Sequence, residues 1–410
     1  MAKDFSFNDL DDALTKVNPK GSVITTNTYS RVDEWISTGN YLLNAQITGS
    51  LFGGIPNSRS ICLAGESGTG KTFLALNICR EAQLLGYNII YCDSEAAVDQ
   101  DVIENFGVDP AIFRYQPVST PLEVRQFVAH LCESMKKAKE SGKKLPKVML
   151  VLDSLGNLAT TKERNDAITG SDKRDMTKQQ ELRSLFRVIT ADLAELKIPF
   201  IFTNHTYASI GSYIPGQTIS GGGGAIYNAS VILQLSKAGL KEDGANKTGI
   251  IVTSKPAKNR FARPLPIKFH ISFYKGMNPY VGLEQFLSWE NCGVQRGKLL
   301  TEKEFLKYYK EDHASHTEVL ATEISRTNED GTIDKFYLEA KETSRTLAVA
   351  HLFDVIKPQE LFTSRVFTQE MLRKLDEQFI QKMFKLPNVA LLGDIENDEI
   401  SEILSDEIGD

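Results

Sequence analysis

The stretch ICLAGESGTGKTFLALNI, residues 61–78, sets three glycines and short polar residues between two apolar runs and carries a single lysine. The first run reads as a buried strand and the second as a helix. Gly65, Gly68 and Gly70 let the backbone turn tightly enough to point its N–H groups inward at an anion. A helix starting near Lys71 adds the positive end of its dipole at the same place. Gly65, Glu66, Ser67, Gly68, Thr69, Gly70, Lys71 and Thr72 together fit the P-loop pattern. In that pattern Lys71 reaches the β- and γ-phosphates of a nucleotide, and the Thr72 hydroxyl ligates Mg²⁺.

Outward from this loop, residues 35–285 alternate strand-like and helix-like runs. The strands are SICLA, NIIYCD, KVMLVLD and PFIFT; helical patterns cover 72–85, stopped by Gly86, and about 176–196, stopped before Pro199. Short, continuously apolar strands between helices predict a mostly parallel sheet covered on both faces. Three later runs, SVILQL, TGIIVT and IKFHISF, are expected to extend that sheet antiparallel. The fold class is α/β: a P-loop core over 35–285, a short N-terminal helix and connector over 1–34, a smaller C-terminal α/β domain over 286–392 and an acidic tail over 393–410. Phe7, Leu10, Leu14 and Val17 share one face of the first helix, with Ser6 as its N-cap. So short a helix is not stable alone, so it docks on its own domain or on a neighbouring chain. Leu372, Leu375, Phe379 and Met383 mark an amphipathic helix in the C-terminal domain.

A triphosphate with bound Mg²⁺ needs a carboxylate behind the metal, and Asp153 supplies one at the end of an apolar strand. Hydrolysis needs a group that orients and polarises water. Glu95 ends the strand NIIYCDSE, at the carboxyl edge where ligands of open α/β sheets lie. Asn204 and His205, in IFTNHT, end another strand at the same crevice and suit a γ-phosphate sensor.

The net charge is −6, but the last seventeen residues, DIENDEISEILSDEIGD, hold eight acids and no base, which leaves the rest slightly basic. Such a tail is a solvated extension, or a polyanion mimic that competes for a basic site or recruits a basic partner. Cys62, Cys79, Cys92, Cys132 and Cys292 are scattered, without a CxxC or Cys/His cluster. Buried free thiols in a reducing compartment are expected, not a cysteine metal site. The N-terminus does not read as a signal peptide and no run approaches transmembrane length, so a cytoplasmic protein without a membrane partner is expected.

Two polar segments leave the strand ends that carry these site residues. After Asp153 comes SLGNLATTKERNDAITGSDKRDMTKQQELRSLFR, with Lys162, Arg164, Lys173 and Arg174. After His205 comes TYASIGSYIPGQTISGGGGAIYN, a long patternless run of the kind that is usually functional. Its Tyr207, Tyr213, Ile210 and Ile214 could stack on or wedge between bases, and its glycines, Gly222 and Gly223 among them, give mobility. A loop at such a strand end can be ordered by nucleotide.

The segments ISTGNYLLNAQITGSLFGGIPNSRSICLAGESGTGKT, YCDSEAAVDQDVIENFGVDP, LDSLGNLATTKERNDA, RDMTKQQELRSLFRVIT and IPFIFTNHTY resemble the phage UvsX recombinases and, more distantly, bacterial RecA. The resemblance covers about residues 30–285, and the acidic tail by character. It implies a RecA-like core and an ATP- and Mg²⁺-dependent recombinase. Such a protein forms a helical homo-oligomeric filament on single-stranded DNA, pairs it with homologous duplex in recombination, repair and replication, and meets a single-strand-binding protein and a mediator. It implies that Lys71 and Thr72 bind phosphates and metal, that Asp153 supports the metal and Glu95 is the catalytic carboxylate. Asp99 matches an acid near the adenine. The polar segments at about 159–175 and 206–224 match the family's two DNA-binding loops. In KNRFARP, Lys258 and Arg260 match basic residues that reach the ATP of the adjacent subunit. The chain departs from RecA at His205, where RecA has glutamine, and at Val102, where RecA places an adenine-stacking tyrosine. The rival readings are a ring-shaped hexameric helicase on the same core and a nucleotide-switched scaffold without turnover. A helicase would normally carry a larger N-terminal domain than 34 residues allow, and Glu95 argues against a scaffold.

Overall fold

A computed structural model describes residues 6–29, 31–170, 177–208, 217–219, 228–241, 247–283, 298–301, 303, 319–327, 333–341, 367 and 369–387. The described chain begins with α1 (Phe7–Val17), where Ser6 and Asp9 form a reciprocal capping box. Then come β1 (Trp35–Ile36), α2 (Tyr41–Thr48), β2 (Ile55–Pro56), β3 (Ser60–Gly65), α3 (Lys71–Leu84), β4 (Tyr87–Asp93), α4 (Gln100–Asn105), β5 (Phe113–Pro117), α5 (Pro121–Glu140), β6 (Lys147–Asp153), α6 (Thr161–Thr169), α7 (Lys178–Glu195) and β7 (Phe200–Ala208). After β7 follow β8 (Gln217–Ile219), β9 (Val231–Lys241), β10 (Lys247–Asn259), β11 (Ile267–Ser272), β12 (Lys298–Leu300), β13 (Val319–Thr327) and β14 (Ile333–Lys341). The described chain ends in α8 (Gln369–Leu375), a π-helical turn (Asp376–Ile380) and α9 (Gln381–Phe384).

The central sheet runs β11-β10-β9-β3-β7-β6-β4-β5, with β8 paired to β7. From β9 to β5 every neighbouring pair is parallel. The pairs β9–β10 and β10–β11 are antiparallel. This corrects the expectation for SVILQL. The chain after β7 returns to the amino end of β3, where the Ser230 N–H donates to the Ser60 carbonyl, so β9 runs parallel to β3. The links 242–246 and 260–266 are too short for a parallel crossover, so β10 runs against β9 and β11 against β10.

Alternation along the buried strands splits the core in two. Ile61 and Leu63 of β3 face one side and join Leu74, Ile78 and Cys79 of α3 and Leu42 and Leu43 of α2. Cys62 and Ala64 face the other and join Val124, Val128 and Cys132 of α5 and Leu182, Phe186 and Ile189 of α7. Each fully buried Leu, Ile or Phe contributes about 1.5–3 kcal/mol, so the two layers hold the strand ends rigidly in place. Four cysteines, Cys62, Cys79, Cys92 and Cys132, are buried free thiols; Cys292 lies outside the described residues. Burial pushes the Cys92 and Cys132 thiols up to about 12.

The C-terminal helical segment belongs to the first of these layers. Leu372, Leu375, Ile380 and Phe384 are buried in it, with Phe379 and Met383 packed alongside. The buried Asp376 carboxylate accepts from the Leu51 N–H (2.6 Å), the Ser50 hydroxyl (2.8 Å) and the Gln381 amide (2.7 Å). Residues of the intervening span form a separate antiparallel sheet, β12-β14-β13.

At the other end, the apolar stripe of α1 is exposed, with Phe7 at 69% and Val17 at 85%. The connector behind it is tied to the end of α7. Lys20 pairs with Glu195 at 2.7 Å, the Tyr29 hydroxyl donates to the Ala191 carbonyl at 2.9 Å, and Lys197 donates to the Thr28 carbonyl at 2.6 Å. Among the described residues no helix is long and apolar enough to cross a membrane.

Candidate active site

The phosphate loop spans the carboxyl end of β3 and the start of α3. Gly68 (φ 72°) and Gly70 (φ 87°) lie in the left-handed region that glycine adopts without strain. A Cβ on Gly65 would stand 2.6 Å from the Leu235 carbonyl oxygen, so the strand can pass there only as glycine. Gly70 begins α3 with no side-chain cap, which leaves the first-turn N–H groups for an anion. Lys71 is buried, and its ammonium donates to the Gly65 and Glu66 carbonyls, each at 2.8 Å. Burial lowers its pKa, against the pull of Asp153 and Glu95.

Asp153, at the end of β6, is buried and held by three hydroxyls. Thr72 donates at 2.7 Å, Tyr91 of β4 at 2.8 Å, and Thr203 of β7 donates to the other oxygen. The Thr72–Asp153 pair is the donor set a hard cation takes when its remaining ligands are phosphate oxygens and water. No cluster of three or more His, Cys, Asp or Glu side chains that could hold a metal occurs among the described residues.

Glu95 follows β4, and Asp93 fixes the turn that carries it. The buried Asp93 carboxylate accepts the N–H groups of Glu95, Ala96, Ala97 and Val98 at 2.8 to 3.3 Å. The Glu95 carboxylate meets the Ser154 hydroxyl and lies 3.1 Å from His205 Nε2. Burial opposes its charge, but the Ser154 and His205 hydrogen bonds and the His205 and Lys71 charges outweigh it, so it titrates below the usual glutamate value. Gly156 makes room for this contact: a Cβ there would stand 2.9 Å from His205 Cδ2 and 3.0 Å from Asn204 Oδ1. The buried Asn204 accepts the His205 N–H at 2.9 Å.

The structure thus brings Lys71, Thr72, Asp153, Glu95 and His205 to one edge, from β3, β6, β4 and β7. It does not bring Lys258 and Arg260 there. Lys258 pairs in register with Ile232, which pairs with Cys62, three residues before Gly65. That is about 10 Å back along the strands and two strands across. Burial and Arg260 lower the Lys258 pKa, and Arg260 similarly adds to the effect of burial at Arg59, so three cations share this opposite end. Asp99 N-caps α4, accepting the Val102 N–H at 2.9 Å.

Of the basic and aromatic residues in the two polar segments, Lys162 and Arg164 lie on α6, a helix within what reads in sequence as a loop. Both are exposed, and Arg164 reaches Glu123 at 3.3 Å. Lys173, Arg174, Ile210, Tyr213, Ile214, Gly222 and Gly223 lie outside the described residues, as does the Tyr207 side chain. Sequence reading missed Asp93, Ser154, Gly156, Tyr91 and Thr203. For Ser154 and Gly156 a signal existed, since LDSLG puts them directly behind Asp153.

The RecA N-terminal domain family matches residues 8–278. A recombination and repair protein of Enterobacteria phage T4 is 28% identical over 264 residues, which cover 63% of this chain and 65% of that protein. Protein RecA of Fusobacterium nucleatum subsp. nucleatum is 27% identical over 270 residues, 65% of this chain and 67% of that one. Protein RecA of Prochlorococcus marinus strain MIT 9211 is 30% identical over 285 residues, 68% and 72%. The match spans just under two thirds of the phage protein's length.

Proposed function

The chain belongs to the RecA family, and from that premise we propose that it is an ATP-dependent DNA strand-exchange recombinase. It would polymerise on single-stranded DNA with ATP and Mg²⁺ and pair that strand with homologous duplex, in recombination, repair and recombination-dependent replication. The observation that carries the reading is the 3.1 Å contact of Glu95 with His205 beside Lys71, Thr72 and Asp153, at strand ends from which both polar segments depart.

In this reading the loop N–H groups and Lys71 hold the phosphates, and Asp99 lies by the adenine. Thr72 and Asp153 would hold Mg²⁺, which would screen the charge on the phosphate oxygens. Glu95, ionised because of Ser154 and His205, takes the proton from the attacking water. His205 is the last β7 residue paired with β3 and directly precedes the proposed second DNA segment, so a shift of its ring from Glu95 toward a γ-phosphate would pass directly to that segment. Lys162, Arg164, Lys173, Arg174, Tyr207, Ile210, Tyr213, Gly222 and Gly223 are the proposed DNA contacts. Lys258 and Arg260, facing away from their own loop, would complete the site of the next subunit. The exposed stripe of α1 would be covered by a neighbouring chain.

A single-strand-binding protein and a mediator are the further partners proposed, with the acidic tail as a polyanion mimic. Work on DNA would place the protein in the cytoplasm, that of the host for a phage protein. Imaging the protein on single-stranded DNA with ATP tests the proposal. Helical filaments that convert homologous duplex to joint molecules support it. Closed rings that unwind DNA would mean a helicase, and DNA binding without turnover a scaffold; either result overturns it.

A further inference from the structure

Lys237 lies outside every motif the sequence singles out. It stands on β9 beyond Leu235, the last residue paired with β3, so it sits level with the departing phosphate loop. Its ammonium donates to the Ser67 carbonyl at 2.8 Å. A Cβ built on Gly68 would stand 2.5 Å from the same nitrogen, so Lys237 occupies the space that the glycine leaves. Together with the two bonds from Lys71, three successive loop carbonyls, those of Gly65, Glu66 and Ser67, are each held by an ammonium. In a planar trans peptide the C=O and N–H point in opposite directions. Holding the Ser67 carbonyl toward β9 therefore turns the Gly68 N–H to the opposite side. The two ammonium groups also repel, and Lys237 adds to the burial that lowers the Lys71 pKa. A bound polyphosphate would relieve that repulsion.

We infer that Lys237 is a positioning residue for the nucleotide phosphates, fixing the Ser67–Gly68 peptide from β9 so that its N–H faces the phosphate chain. The inference rests on the reading of residues 65–72 as the phosphate loop. It also ties the loop to the β9–β10 pair, whose far end carries Lys258 and leads to Arg260.

Equilibrium binding of a fluorescent ADP analogue with Mg²⁺ and without DNA tests this apart from turnover. Lys237→Met should weaken binding roughly 3- to 10-fold, the scale of one typical net hydrogen bond. The loss should persist from 0.1 to 0.5 M salt, and Lys237→Arg should restore affinity. Apo melting temperatures should match the wild type. Wild-type affinity in Lys237→Met overturns the inference. So does a deficit that vanishes at high salt, because screening removes a long-range charge effect but not a local clamp. Lys71→Ala is the control for the loop itself. If it too binds ADP normally, the phosphate-loop reading fails and takes this inference with it. If it loses binding while Lys237→Met does not, only the role of Lys237 is wrong.

Discussion

His205 Nε2 lies 3.1 Å from Glu95 Oε1 although their strands, β7 and β4, are separated in the sheet by β6. Ser154, directly after β6, fills the gap, with its hydroxyl on Glu95 and 3.4 Å from the same ring nitrogen. Three adjacent strand ends thus meet on one carboxylate oxygen. Glu95, Ser154 and His205, the proposed base, its orienting hydroxyl and the proposed γ-phosphate sensor, therefore cannot move independently.

Glu95→Gln should keep the turn, because Asp93 holds it through backbone N–H groups that the substitution leaves alone. The amide cannot take a proton from water. DNA-stimulated ATP hydrolysis should fall by ~10²-fold or more while nucleotide affinity stays close to wild type. Turnover near the wild-type rate would move the base to another residue.

The pH dependence follows from the same contact. The Glu95 pKa in the folded protein is lowered, so its charge is present above the ordinary glutamate value of 4.5 and is lost only as pH falls below it. The acidic limb of kcat/KM should therefore lie below that value. Ser154→Ala removes a hydrogen bond that favours the carboxylate, so the limb should move to higher pH. A profile measured on both proteins decides this; superimposable limbs would mean that Ser154 does not set the ionisation of Glu95.

Lys258 and Arg260 sit at the amino end of the sheet, opposite their own phosphate loop. If they act on the neighbour's nucleotide, Lys258→Ala subunits mixed with Lys71→Ala subunits should hydrolyse ATP better than either alone. In the mixture some interfaces regain both residues. No recovery at any ratio, with filaments intact by microscopy, would rule out the shared site.

The phosphate loop, four of the six parallel strands (β3, β4, β6 and β7) and α3 were legible because each is a local pattern: apolar run, glycines, helix period. The direction of β9 was not, because it depends on the route of the chain after β7 rather than on composition. The helix α6 had a local signature that the charge of the segment concealed: Thr160 and Glu163 form a reciprocal capping box. Asp93 was illegible for a different reason, and the place of Ser154 directly behind Asp153 did not say what it touches. Asp93 reads as an ordinary strand-end acid until its carboxylate is seen to collect four N–H groups, and Ser154 matters only because β6 lies between β4 and β7. The amphipathic pattern at Leu372, Leu375, Phe379 and Met383 was plain, but a periodicity does not name the surface that its apolar face covers.

That surface is the core layer around α2, and Asp376 anchors the helix to it. Asp376 is 2% exposed, and its carboxylate accepts from Leu51 N–H, Ser50 and Gln381. Asp376→Ala would leave the Leu51 N–H without this acceptor at a buried position, at a cost of about 2–3 kcal/mol. Asp376→Asn keeps an acceptor oxygen for Leu51 but turns an amide donor toward Ser50 and Gln381, so it should fall between the alanine variant and the wild type. Ser50 can rotate its hydroxyl to accept from that amide, whereas Gln381 must flip. Urea unfolding of the three proteins measures this order, and hydrogen exchange over residues 41–52 localises it. If the anchor holds the segment to the core, protection there should drop first in Asp376→Ala. If all three proteins unfold at the same urea concentration with equal protection over 41–52, the helix rests on the core by its apolar face alone and the carboxylate contributes nothing to its docking.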